Sequence, residues 1–579
     1  SGLLIRWSTV RICDAPPESQ RLSARKASLL FSPPGLRQPF AKLPVNLPIM
    51  LSHTPLTDAV FDHHFARHLP GEAGPPRLSR QVLEACWSES LPTPVAAPSL
   101  LAWSDELAHT LGLSLPDDSA SVAEALAGNR LLPGMKPVAA CYGGHQFGHW
   151  AGQLGDGRAI LLGDLTAPDG QRWELQLKGA GLTPYSRRAD GRAVLRSSIR
   201  EFICSEAMFH LGVPTTRALA LVGSGEPVLR DMFYDGRPSQ EPGAIVTRVA
   251  PSFVRFGNFE IFAVRGDTER LRRLADYVIT HHYPELGAPG PATYVAWFEE
   301  IARRTAVLMA HWLRVGFVHG VMNTDNLSIL GLTIDYGPFG WLDVFDPGFT
   351  PNTTDQGGRY AYSQQPGIAQ WNLARLGEAL IPLVGQPALL ELGLNLFIET
   401  FEAEWVRQAL SKIGLTPGSD KAADEDLISN LLGILTLTEV DTTRFFRSLM
   451  RADPAKLPET GLPAELNDSF YTPDVLPEKF VSHLRDWLLG YAARLRADGV
   501  AEASRQQRMA AANPWIIPRN YLLQEAINAA TAGDLSVLHA LQAAIRDPYT
   551  ERPEYEKFTH QRPEWARHAP GCSALSCSS

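Results

Sequence analysis

The chain has 579 residues, 45% apolar and 20% charged, enough for more than one sizeable core and roughly two to four domains. A net charge of −9 and a pI near 6.0 exclude a non-specific nucleic-acid binder, which would be basic. No apolar run reaches the length of a membrane-spanning helix, and six cysteines without a CxxC pair exclude a disulfide framework and point to a reducing, soluble setting.

Residues 1–50 read as a separate basic extension. Arg6, Arg11, Arg21, Arg25, Lys26, Arg37 and Lys42 face only Asp14 and Glu18, among many Ser and Pro. The reading favoured here is a disordered arm, or residues ahead of Met50, with cytoplasmic location. The alternative is a mitochondrial transit peptide. Beyond it, a helix is expected at Pro98–Leu113, then strands at Val138–Tyr142, Arg158–Leu162 and Trp173–Leu177, the last running into Lys178. Val194, Ser198, Ile199, Phe202, Met208 and Leu211 fall at helical spacing, so Gly191–Leu211 reads as a helix stopped by Gly212 and Pro214. Strands are expected again at Arg217–Val222 and Ala244–Val249.

The second half is helical, with helices expected at Tyr294–Val315, Pro387–Ile413, Glu425–Met450, Pro477–Ala497 and Tyr521–Ile545. The class is α+β, in two unequal lobes: residues 51–250 strand-rich, 251–545 helical, and 546–579 a tail. In the tail, Cys572 and Cys577 are expected to be accessible and able to exchange disulfides, or to be without function.

Three stretches carry chemistry. Tyr142 to Arg158, "YGGHQFGHWAGQLGDGR", holds six glycines between two strands. Glycine lets backbone amides approach phosphate closely, although an ordinary wide β-hairpin has the same composition. Lys178 ends a strand and Glu201 follows 23 residues on, inside the next helix; protein kinases hold nucleotide phosphates with such a lysine, fixed by a helix glutamate. The third stretch is "FVHGVMNTDNLSILGLTIDYG", Phe317 to Gly337. His319 and Asn326 keep the spacing of the kinase catalytic loop, and Asp335-Tyr336-Gly337 stands where D-F-G would. Asn326 and Asp335 offer hard oxygen ligands suited to Mg²⁺ or Mn²⁺. The catalytic aspartate position is Val321, which cannot accept a proton, so ordinary kinase chemistry by that route is excluded. Asp325 is the nearest carboxylate able to serve as general base. Arg248 and Arg255 could fork onto phosphate or form ion pairs. Asp190-Gly191 could be a cap and turn.

Together these residues resemble the selenoprotein O family, in the blocks "GGHQFGHWAGQLGDGRAILLGD", "ELQLKGAGLTPYSRRADGRAVLRSSIREF", "HGVMNTDNLSILGLTIDYGPFGWLD" and "NPWIIPRNYLLQEAI". The likeness runs from about residue 55 to the C-terminus. It implies a protein-kinase-like pseudokinase fold that binds ATP in a flipped orientation and transfers AMP to a protein hydroxyl, releasing pyrophosphate. On that resemblance Gly155, Gly157, Arg158, Lys178, Asp190, Gly191, Arg248 and Arg255 contact nucleotide, and Glu201 pairs with Lys178. Asp325 is then the proton acceptor, and Asn326 and Asp335 hold the metal. Protein Ser, Thr or Tyr hydroxyls are the acceptors, and UTP is a possible second donor. Cys577 stands where some members carry selenocysteine. Two alternatives are a γ-phosphoryl transferase using Asp325, and a non-catalytic nucleotide-binding scaffold with a redox-active tail.

Overall fold

The strand-and-loop block of the N-terminal half forms one nine-stranded sheet. The computed structural model describes residues 53–576, apart from 234, 455 and 573. The basic extension 1–50 and Cys577 therefore lie outside the described residues. In chain order the strands used below are β1 (Gly71–Glu72), β2 (Trp87–Glu89), β3 (Ser99–Trp103), β4 (Val138–Ala140), β5 (Gly143–Gln146), β6 (His149–Gln153), β7 (Ala159–Thr166), β8 (Arg172–Lys178), β9 (Ala193–Val194), β10 (Arg217–Arg230) and β11 (Ser239–Ala250). The sheet order is β1-β2-β4-β7-β8-β11-β10-β3, with β9 on β11; β5 and β6 form a separate hairpin.

The helices are α1 (His64–His68), α2 (Asp105–Thr110), α3 (Ser119–Leu126), α4 (Leu195–His210), α5 (Phe256–Val264), α6 (Thr268–His282), α7 (Pro291–Val315) and α8 (Gln365–Val384). They continue with α9 (Pro387–Lys412), α10 (Lys421–Leu435), α11 (Thr442–Arg451), α12 (Glu478–Ala497), α13 (Glu502–Ala512), α14 (Asn520–Thr531) and α15 (Ser536–Ala544). The result is a mixed α+β molecule, sheet-rich first and helix-rich after. None of the described helices is long and apolar enough to cross a membrane.

Strand β8 shows how the sequence places the site. Trp173, Leu175 and Leu177 pack into a core with Leu107, Val122 and Leu126 from α2 and α3. Because strand side chains alternate, Glu174, Gln176 and Lys178 face the other side. Helix α4 packs on that side, with Ile199, Phe202 and Ile203 fully buried in the central core. It stops at Gly212, whose φ of +73° suits a residue without Cβ. Helix α7 ends the same way at Gly316, φ +75°.

Several elements differ from the sequence expectation. The helix expected at Pro98–Leu113 is β3 followed by α2, because Leu100, Ala102 and Trp103 find partners along β10. The helix expected over Glu425–Met450 is two, α10 and α11: the Asp441 side chain accepts from the Arg444 N–H at 3.0 Å and starts a new helix. The one expected over Tyr521–Ile545 breaks at Gly533, φ +89°. Helices α1, α3, α5, α6, α8 and α13 are not among the expected elements. The tail also differs. The Leu575 N–H donates to Pro351 O and the Thr353 N–H to Leu575 O, both at 2.8 Å. Cys572 is 2% exposed, and burial pushes its thiol up to about 11. It is a packed, weakly acidic thiol, not the accessible one expected.

Candidate active site

Two short strands, Phe317–Val318 and Gly340–Trp341, pair with each other and close the loop between them. This brings Asp325, Asn326 and Asp335 into one turn of chain. The loop is tied to the start of α5: the Phe256 N–H donates to Leu327 O and the Ile329 N–H to Val254 O, both at 3.0 Å. Arg255, just ahead of α5, is thereby set against the loop, and its Nη1 donates to Asp325 O at 2.9 Å.

Asp335 lies at the centre of the cationic groups. Its backbone is left-handed, φ +59°, a conformation that costs a non-glycine residue about 1 kcal/mol or more. One carboxylate oxygen accepts from Arg248 and the other from Arg255. Burial alone would raise this carboxyl, but Arg255, Arg248 and Lys178 outweigh it and hold it well below the usual carboxylate range. Arg248 also reaches Glu201 Oε1 at 3.3 Å and donates to Gln176, its cross-strand neighbour. Lys178 Nζ lies 2.7 Å from Glu201 Oε2; burial lowers the lysine and Glu201 partly restores it. The order Asp335–Arg248–Glu201–Lys178 is one continuous charge chain, buried at Arg248 and Glu201 and half-buried at its two ends.

Asp325 is in a different environment. The glycine-rich segment is the hairpin β5–β6, and it lies over this residue. Gly144 is so close that a Cβ there would meet Asp325 Oδ1 at 2.5 Å. Gln146 Nε2 donates to Asp325 Oδ2 at 3.1 Å, while Oδ1 is buried without a hydrogen-bond partner among the described residues. Burial pushes this carboxyl up to about 7, more than Gln146 and Arg255 lower it. The hairpin is pinned on the loop by the His145 N–H on Thr324 Oγ1 (2.7 Å) and the Phe147 N–H on Tyr360 Oη (2.9 Å). Thr324 in turn donates to Glu260 of α5 at 2.6 Å.

The other expected site residues are less uniformly placed. Gly155 takes φ +80°, and a Cβ there would enter the Tyr185 ring; Gly157 passes the Tyr185 carbonyl. Arg158 makes no side-chain hydrogen bond or ion pair among the described residues, and burial lowers it. It is a cation without a fixed partner beside Glu201 and Asp335. Asp190 is farther out, in a two-bond pair with Arg230 at 2.7 Å for each bond. Gly191, φ +71°, joins this turn to the end of β8, where the Gly181 N–H donates to Gly191 O at 3.0 Å. Asn326 donates through Nδ2 to the Val321 carbonyl at 2.9 Å, and its oxygen accepts no hydrogen bond among the described residues. His319 does not face the charge chain: it stacks on Trp312 and its Nε2 meets Ile334 O at 2.8 Å.

Sequence reasoning passed over Gln146, Asp156, Gln176 and Glu260. Gln176 carried a readable signal, since it shares the period-2 polar face of β8 with Lys178. Asp156 accepts from the Ala140 N–H at 3.0 Å and from Gln176 at 3.3 Å, and stands 4.0 Å from Arg255.

The pairing of an ionised, arginine-held carboxylate with a neutral-range one, beside Lys178 and the unpaired Arg158, is an arrangement for polyanion chemistry with a proton acceptor. The family model described as Protein adenylyltransferase SelO matches residues 79–546. A protein of Nitrosospira multiformis named Protein nucleotidyltransferase YdiU is 55% identical over 549 residues, covering 90% of this chain and 97% of its own. Proteins with the same name from Methylobacillus flagellatus (54%) and an Azoarcus species (55%) match over 522 residues, 90% of this chain and 99% of theirs. The chain belongs to the SelO family of protein adenylyltransferases.

Proposed function

We propose that this protein nucleotidyltransferase moves AMP from ATP to Ser, Thr or Tyr hydroxyls of proteins and releases pyrophosphate, with UTP as a second possible donor. The fold we infer is kinase-like, with lobes of residues 51–250 and 251–545 and a tail after them. The nucleotide sits reversed relative to a kinase, so that the α-phosphorus is the reacting atom. The observation that carries this reading is Asp325: it is the carboxylate of the loop poised near 7, whereas the kinase base position holds Val321.

In this reading Lys178, fixed by Glu201, and the uncommitted Arg158 take the phosphates, while Arg248 and Arg255 exchange part of their hold on Asp335 for phosphate oxygens. Gly155 and Gly157 keep the backbone low enough for nucleotide to approach, and Asp190 and Gly191 border it. Asp325 accepts the proton of the acceptor hydroxyl. Its burial under Gly144 and Gln146 means that the hairpin shifts before an acceptor enters. Asn326 and Asp335 fit a hard divalent cation, since one offers a free amide oxygen and the other a fully ionised carboxylate. When bound, Mg²⁺ or Mn²⁺ there would neutralise triphosphate charge and stabilise the leaving pyrophosphate.

Product analysis tests the reaction class: adenylyl transfer releases pyrophosphate and leaves a phosphodiester on the acceptor, whereas ADP release would overturn it. Lys178→Ala should lower turnover by roughly 100-fold, the typical cost of one fixed electrostatic partner, in a steady-state assay; an unchanged rate would make the lysine structural. The transfer rate should also rise with pH through about 7, because only ionised Asp325 can accept the proton. A pH–rate profile flat across this range would remove Asp325 from that role.

A further inference from the structure

Three histidines outside the site converge where α1 meets the last turn of α6. His64 and His68 are four residues apart and so share a helix face, and His281 faces them from α6. His64 Nε2 lies 3.3 Å from both ring nitrogens of His281. One donor nitrogen from each of the three residues lies within 4.8 Å of the others. Zinc–nitrogen bonds of about 2.0–2.1 Å in a tetrahedron set the nitrogens about 3.3 Å apart. Two of the three are therefore already at ligand spacing, and His68, which is exposed, lies within the same 4.8 Å limit.

The ring chemistry points the same way. His68 Nδ1 is 2.9 Å from the His64 carbonyl, which can only accept; the ring therefore donates from Nδ1 and keeps its lone pair on Nε2. A backbone carbonyl orienting a histidine in this manner is common around metals. His64 Nδ1 is buried with no hydrogen-bond partner among the described residues. No carboxylate forms an ion pair with the three rings among the described residues. Asp164, Arg172, Tyr277 and His282 surround the group. The charges of Asp164 and Arg172 act on His64 in opposite senses. Two of the three histidines precede residue 79, where the family match begins.

We propose that His64, His68 and His281 bind one divalent transition-metal ion of the zinc class, which fastens α1 to α6. Three imidazoles suit Zn²⁺, Co²⁺ or Ni²⁺ and not Mg²⁺. This separates the site from the oxygen donors Asn326 and Asp335.

The test uses full-length protein treated with chelator and dialysed, then titrated with Zn²⁺ by calorimetry in excess Mg²⁺, with Co²⁺ as a spectroscopic probe. The expected result is one equivalent bound with a Kd of about 1 μM or tighter, tetrahedral Co²⁺ absorption, and a melting temperature raised by Zn²⁺. His68→Ala, at an exposed position, should weaken binding by more than about 100-fold, beyond the roughly 10–100-fold typical of outer-shell changes. It should also abolish the melting shift and leave Mg²⁺-dependent transfer unchanged, and Asp335→Asn should bind Zn²⁺ as the parent does. No stoichiometric uptake, equal uptake by His68→Ala, or uptake lost only in Asp335→Asn would each overturn the site.

Discussion

Asp325→Asn is expected to reduce nucleotidyl transfer by roughly 10²–10⁴-fold, the range for loss of a positioned general base, while ATP affinity changes little. Asparagine keeps the shape and can still meet Gln146, so the hairpin contact at 3.1 Å is preserved to first order. Stability should not fall. A carboxyl raised to about 7 by burial is destabilising when ionised, from about its unfolded pKa upward, and a neutral amide removes that burden. Activity lost with the melting temperature kept or raised is therefore the signature of a base. If transfer survives in Asp325→Asn, the proton goes elsewhere.

The second large effect is at Asp335. Asp335→Ala should abolish metal-dependent transfer, because the proposed ligand and the carboxylate that holds both arginines vanish together. Several kcal/mol of transition-state stabilisation is at stake, about 10³-fold or more in rate. Unlike Asp325→Asn, this variant should also be less stable. Arg248 and Arg255, both 2% exposed, each lose a directly bonded counter-ion, and stripping one partner from a buried pair costs about 3–5 kcal/mol. Glu201 and Asp156 remain near the two arginines, so the lower end of that range is expected. A kinetic assay over a metal titration, with a denaturant melt on the same sample, reads both effects. Full activity would remove Asp335 from the metal, and unchanged stability would mean that the arginines are solvated without it.

Much of this was legible in the sequence because local pattern and position coincide. The polar face of β8 follows from strand alternation, α4 from its 3.6-residue period and its glycine stop, and the spacing from His319 to Asn326 lies within one loop. The less legible parts depend on contacts distant in sequence. Arg248 and Arg255 could be read as phosphate ligands or as ion-pair formers. In this structure both hold Asp335, about 80 residues away, a partner that periodicity cannot reveal. Residues 99–103 scan as the start of a helix but join the sheet, because β10 offers them a ladder. The breaks within 425–450 and 521–545 hinge on one cap and one left-handed glycine, signals weak beside the apolar repeat on either side. The tail differs from expectation because a cysteine near a chain end suggests exposure, whereas Leu575 pairs with Asn352, in the segment after the 317–341 loop.

The most direct measurement supplies ATP labelled at either the α- or the γ-phosphate, with Mg²⁺ or Mn²⁺ and an acceptor protein. The account predicts label in protein from the α position alone, and none from Asp325→Asn. Label entering from the γ position would contradict it, since the nucleotide would then lie as in a kinase, with Asp325 serving phosphoryl transfer.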